Sequence, residues 1–142
     1  VALDSLAPLN RLVAVLEALP GMQAVYVGVP ESPGSQVVAY IALAGQRTVV
    51  QPVGVLRRDA NYFIGFAYAV EGAEASAETT LAAWVDALAV ALTVEKRTDL
   101  AGTCDAMDWD FSLGDSPTYQ PIAGREFRVF PVLVTVTQST TF

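Results

Sequence analysis

Apolar residues recur at helical spacing near the start of the chain. Leu6, Leu9, Leu12, Val13, Leu16 and Leu19 fall on one face, with Ser5 available as N-cap, Pro8 tolerable in the first turn and Pro20-Gly21 as a stop. This spacing predicts an amphipathic helix over residues 5–19. The period then changes to two. Val25, Val27 and Val29 alternate along residues 23–29, a strand closed by Pro30, and residues 31–35 (Glu31-Ser32-Pro33-Gly34-Ser35) have loop composition. Residues 37–44 and 47–55 are two further β-prone runs separated by Gly45-Gln46, which fits a two-residue hairpin with glycine at positive φ. Pro52 cannot donate to a central ladder, so the second run is placed at a sheet edge or ends near Pro52.

Arg57-Arg58-Asp59 reads as a charged tip before residues 61–70. There Ile64, Phe66, Tyr68 and Val70 share one face and Phe63, Gly65, Ala67 and Ala69 the other, the mark of a central strand covered on both sides. A long helix follows over residues 74–95, with Ala77, Leu81, Trp84, Val85, Leu88, Ala91 and Leu92 as its stripe. Glu74 and Glu78 suit its positive pole and Lys96-Arg97 its negative one. Residues 104–112 and 125–137 read as two more strands, joined by a loop over 113–124 that carries Pro117 and Pro121. The end, Gln138-Ser139-Thr140-Thr141-Phe142, is polar until its last residue and is expected to be mobile unless a neighbour orders it. The pattern predicts one α+β domain over residues 1–142, with a mixed or mainly antiparallel sheet and both helices on one face.

Composition sharpens this picture. The chain has 142 residues, of which 53% are AVILMFWYC and 16% charged, enough to bury a core without disulfide or metal staples. The apolar excess implies a sheet covered on both faces or surface covered by partners. Fifteen acidic residues stand against eight basic ones, giving a net charge of −7, which disfavours binding to nucleic acid or anionic lipid. No unbroken apolar run is long enough for a membrane span, and the first residues, Val1 to Ser5, carry no secretory signal. Absence of histidine removes Ser-His-Asp and Cys-His catalysis and His-ligated metal sites. The single Cys104 forms no internal disulfide, which suits a reducing compartment such as a cytoplasm.

The remaining chemistry is sparse. Asp105, Asp108 and Asp110, with Asp115 beyond, form the densest acidic cluster, and Asp108 and Asp110 share a strand face. Hard cations take such oxygens, but the glycine and terminal glutamate of an EF-hand loop are missing, and a solvated strand face beside Trp109 accounts for the same residues. Paired carboxylates working as in glycosidases lack a readable sugar cleft. Cys104 has no histidine to activate it and reads as a small apolar strand residue. Gly28, Gly34, Gly45 and Gly54 form no phosphate-cradling motif. Trp84 sits at core spacing, and Trp109 faces away from Asp108 and Asp110. Arg57 and Arg58 either reach a partner carboxylate or keep a turn soluble, and both readings stay open.

The order of elements resembles a known family. A leucine-rich helix ends in Ala18-Leu19-Pro20-Gly21, and Ala24-Val25-Tyr26-Val27-Gly28 follows. Then come a hairpin region, the strand that closes in Glu71-Gly72, a long Ala/Leu/Trp helix and two final strands. Together they resemble the tail terminator (tail completion) proteins of long-tailed bacteriophages over nearly the whole chain. The resemblance implies a non-catalytic virion protein without cofactor, assembled in the host cytoplasm. It implies a homo-oligomeric, hexameric ring on the head-proximal end of the tail tube, which stops tube polymerisation and offers a joining surface to the head–tail connector. DNA would pass through the ring without specific binding, and an acidic lumen would repel its phosphates. On this reading Arg47, Arg57, Arg58, Asp59, Arg125 and Arg128 face a neighbouring subunit or the tube, while Asp105, Asp108, Asp110 and Asp115 line the lumen or a rim. Another neck or tail ring component, or a small metal- or ligand-binding domain, would also fit the composition.

Overall fold

The computed structural model describes residues 2–31, 37–71 and 75–142. Its elements run α1 (Leu6–Glu17), β1 (Val25–Val27), β2 (Val38–Gln51), β3 (Val55–Ala69), α2 (Ala75–Arg97), α3 (Asp99–Gly102), β4 (Ala106–Asp110), a 3-10 turn (Ser112–Gly114), β5 (Thr118–Ile122) and β6 (Arg125–Thr141). The sheet has six strands in the order β1-β2-β3-β6-β4, and β5 pairs β6. Among the described residues, only β1 and β2 run parallel. The architecture is the expected α+β arrangement. Of the segments read from the sequence, Ser32 to Ser35 of the expected loop, Gly72 and Glu74 lie outside the described residues.

Both long helices lie on one sheet face. Leu12 and Leu16 of α1 and Leu81, Trp84, Leu88 and Leu92 of α2 share a core with Ile41, Tyr62, Ile64, Phe66, Val132, Val134 and Val136 of the sheet. Burial of each large side chain contributes about 1.5–3 kcal/mol. Trp84 is a core residue, tilted against Phe66 and donating its indole N–H to the Pro20 carbonyl at 2.9 Å. A second cluster on the opposite face joins Val38, Tyr40, Ala67, Ala69, Ile122, Phe127 and Val129. The central β3 therefore has two apolar faces, as its sequence predicts. Tyr40 lies against Gly65, where a Cβ would come within 2.5 Å of the tyrosine ring.

Several local expectations are corrected. Gly45 is not in a turn: β2 runs through it, absorbing the extra residue as a bulge between Leu43 and Gly45. The hairpin turn is Pro52-Val53-Gly54, with Gly54 at φ 75° and its N–H bonded to the Gln51 carbonyl. Proline early and left-handed glycine last suit a three-residue hairpin loop. Arg57, Arg58 and Asp59 are consequently inside β3 and not at a tip. The polar C-terminal residues are ordered by their own chain, since β6 continues to Thr141 paired with Val55. The expected loop before β6 contains β5, joined to it by Ala123-Gly124, both at positive φ (52° and 77°).

Ser5 does not cap α1. Asp4 does, its carboxylate accepting from the N–H groups of Leu6 and Ala7. Ser5 is used otherwise: its carbonyl accepts the Tyr62 hydroxyl and its own hydroxyl donates to Gln46. After α2 the chain makes one left-handed turn, with Asp99, Leu100, Ala101 and Gly102 all at positive φ. Fully buried Leu100 and the Thr98 hydroxyl, which accepts from the Ala101 N–H, hold this costly geometry. Finally, Ala75–Arg97 is long and apolar enough to cross a membrane by length and composition, although no unbroken apolar run marks it in the sequence. Leu81, Trp84, Leu88 and Leu92 form one face buried in the core, whereas Val90 and Val94 are exposed.

Candidate assembly surfaces

Three surfaces of the described residues are candidates for binding a partner. The first is an arm. The distal parts of β2, β3 and β6, joined residue by residue from Gln46↔Ala60 to Gln51↔Val55 and from Ala60↔Val136 to Val55↔Thr141, carry the sheet past the helix-covered core. Its end is apolar and open: Val50, Val53 and Phe142 are 66, 81 and 78% exposed. The Phe142 N–H bonds to the Gly54 carbonyl and ties the C-terminus to the hairpin turn.

Strand alternation splits the arm's arginines between the two faces. Arg58 lies on the helix side, where it donates to Thr48 and to Ser5 at the start of α1. Arg57 lies on the other side, 3.2 Å from Asp59, which also accepts from Thr137. Arg47 is cross-strand from Asp59 and exposed. It has no ion-pair partner among the described residues. Arg125 stands over the Phe127 ring, and Arg128 is nearly buried against Glu78 of α2, whose carboxylate also accepts the Tyr68 hydroxyl. Thus Arg58 and Arg128 are engaged inside the chain, while Arg47 remains open to solvent.

The acidic residues gather along β4, at the opposite border of the sheet from β2 and β1. Asp105 accepts from the N–H and hydroxyl of Ser139. Asp108 accepts from the Trp109 N–H at 2.9 Å and sits 3.7 Å from Lys96, whose ammonium also lies over the Trp109 ring. Asp110 accepts from Ser112, whose hydroxyl and N–H hold its carboxyl below the usual range. Asp115 follows the 3-10 turn and is exposed. Asp108 and Asp110 face away from the helices and Trp109 faces them, in the alternation read from the sequence. Among the described residues, no three Asp, Glu or Cys side chains converge as metal ligands would.

Cys104 is buried, its thiol donating to the Asp99 carbonyl, and burial pushes its pKa up to about 11. Such a thiol is inert at neutral pH. A surface that the sequence did not point to is a groove of about 370 Å³ between α1 and α2, lined by Ala14, Ala18, Ala87, Val90, Ala91 and Val94. Arg11 and Glu95 close one end with a two-pronged ion pair. Val90 and Val94, four apart and off the core stripe, were the available signal.

A solved structure with the same layout exists. It is the sheath/tube terminator of an extracellular contractile injection system, PVC, determined by cryo-EM in the extended state, and it superposes with a TM-score of 0.55 over 100% of this chain at 17% identity. The chain shares its fold with that terminator. It spans 58% of the length of the PVC protein. No protein-family model and no curated protein sequence matches the chain.

Proposed function

We propose that the chain is a structural, non-catalytic protein that terminates the tube of a phage-like tail. The observation that carries this reading is the likeness along the whole chain to a sheath/tube terminator. The surface agrees with it. Binding features are an apolar arm tip, an exposed edge and a groove, all suited to protein partners, and the acidic surface along β4 suits a particle through which DNA travels without adhering.

In its finer form the proposal is a hexameric ring at the head-proximal end of the tube, in contact with tube protein on one side and the head connector on the other, inside a virion assembled in the host cytoplasm. Arg47 and the arm tip face neighbours, while Asp105, Asp108, Asp110 and Asp115 lie on a rim or lumen. Another ring component of the neck is the competing role. Adding the purified chain to polymerising tube subunits separates them: a terminator shortens the tubes and is found at one end. Tubes of unchanged length with no chain at their ends would reject tube termination.

A further inference from the structure

We infer that two copies of this chain join edge to edge, with the free outer edge of β2 in one copy pairing with β4 of the next. This rests on the assembly reading above and adds the surfaces that meet. Three observations lead to it.

The first is an open ladder. Strand β1 covers the outer side of β2 only at Ala39, Tyr40 and Ile41, and the Gly28 N–H extends that contact to the Ile41 carbonyl. From residue 43 to 51 no strand lies beyond β2 among the described residues, although its inner side is paired except at the bulge between Leu43 and Gly45. This edge lacks proline until Pro52, and Leu43, Val49 and Val50 are exposed along it. A long, exposed edge of this kind is a template for strand addition. At the other border β4 is also terminal, and its five residues fit within the open stretch.

The second is direction. Strand β2 is antiparallel to β3, β3 to β6, and β6 to β4, so β2 and β4 run oppositely. A rotation that carries one copy onto the next with sheets continuous therefore sets β4 antiparallel to β2. The contact is heterologous, and repetition closes a ring where the rotation allows.

The third is charge. Arg47 on the open β2 edge lies on the sheet face away from the helices, as do Asp108 and Asp110 on β4. Carried straight across the sheet, Arg47 is level with Ala106, so continuity sets it on the same face as Asp108 of the next copy and one same-face step from it. The Trp109 N–H is held by Asp108 in the single chain. An incoming strand offers that N–H a carbonyl instead and releases the carboxylate to the arginine. Lys96 near Asp108 is the only opposing cation there among the described residues, and it reaches from the helix side.

Thiol cross-linking of the full chain tests this directly, because Cys104 is buried and unreactive. Arg47→Cys and Asp108→Cys are made in separate chains, mixed, and treated with a bifunctional thiol linker long enough to tolerate a two-residue offset. The mixture is expected to give covalent dimers while neither variant alone does, and Arg47→Glu is expected to weaken association about tenfold. Combining Arg47→Glu with Asp108→Arg should restore it, and circular dichroism checks that each variant keeps the wild-type fold. Self-linking of Arg47→Cys alone would replace the proposal with a two-fold β2–β2 contact. Monomers throughout, or wild-type assembly with no mixed dimer, would overturn it. If the wild type still caps tubes while Arg47→Glu assembles normally, the edge pairing fails and the terminator reading survives. If mixed dimers form but the wild type does not cap tubes, the terminator reading fails and the edge pairing survives.

Discussion

Gln138→Met is the sharpest probe of how the arm is fixed to the body of the protein. Gln138 is 3% exposed and lies on the helix side of β6. Its amide accepts from the Asp4 N–H at 3.0 Å and donates to the carbonyls of Asp4 and Thr103, each at 2.8 Å. One side chain thus joins the segment before α1, the turn before β4 and the C-terminal part of the sheet. Methionine keeps the unbranched shape and most of the volume but makes none of these bonds. Each bond contributes about 1 kcal/mol net, and orphaning its buried partner costs about 1–3 kcal/mol. Asp4 is exposed and Thr103 half-buried, so water recovers part of the loss. The expected destabilisation is about 2–3 kcal/mol, a sizeable part of the total for a domain of this size. In urea, at about 2 kcal/mol per molar, the midpoint falls by about 1–1.5 M with unchanged slope. Thr140→Ala, two residues on in the same strand, is the control and should stay within about 0.5 kcal/mol. A Gln138→Met midpoint equal to the control's would refute the role assigned to this amide.

Four other outcomes are expected. Tyr40→Phe should raise stability by about 1 kcal/mol, because the Tyr40 hydroxyl is buried without a hydrogen-bond partner among the described residues; an unchanged or lower melting temperature would contradict this. The same burial pushes its pKa up to about 12, as for Tyr62 and Tyr68, so the difference between spectrophotometric titrations of wild type and Tyr40→Phe should show this phenol ionising above the ordinary tyrosine range. Ala123→Gly should stabilise by about 1 kcal/mol, since Ala123 holds φ 52° in a two-residue hairpin loop that glycine enters without strain; a loss of stability in chemical denaturation would count against that geometry. Cys104 should resist thiol reagents at pH 7 in the folded protein and react at once in denaturant; rapid labelling of the native chain would show that the residue is not buried.

What the sequence disclosed and what it hid follow from physical scale. Helices α1 and α2 were legible because Leu12, Leu16, Leu81, Leu88 and Leu92 bury one face at the helical period. The central strand was legible because both faces of β3 are apolar. The arm was legible only in the β-prone run 47–55, because its other strands are held by backbone pairing and by polar pairs such as Thr137 with Asp59, which leave no alternation of apolar residues. Gly45 and Gly54 look alike in sequence, and only pairing across the whole strand decides that the first is a bulge and the second a turn. Ala123-Gly124 escaped because alanine seldom takes a left-handed conformation. The candidate charges were found as residue types, but their availability depends on folding. Arg58 and Arg128 turn inward to Ser5 and Glu78, whereas Arg47 does not.

The proposed tail termination is tested most directly in tailed particles produced from the same genome. Tail lengths are measured by electron microscopy in preparations with and without the chain. A terminator predicts tubes of uniform length when the chain is present, and overlong, uncapped tubes when it is absent. Tails of normal length and normal attachment in its absence would contradict that role.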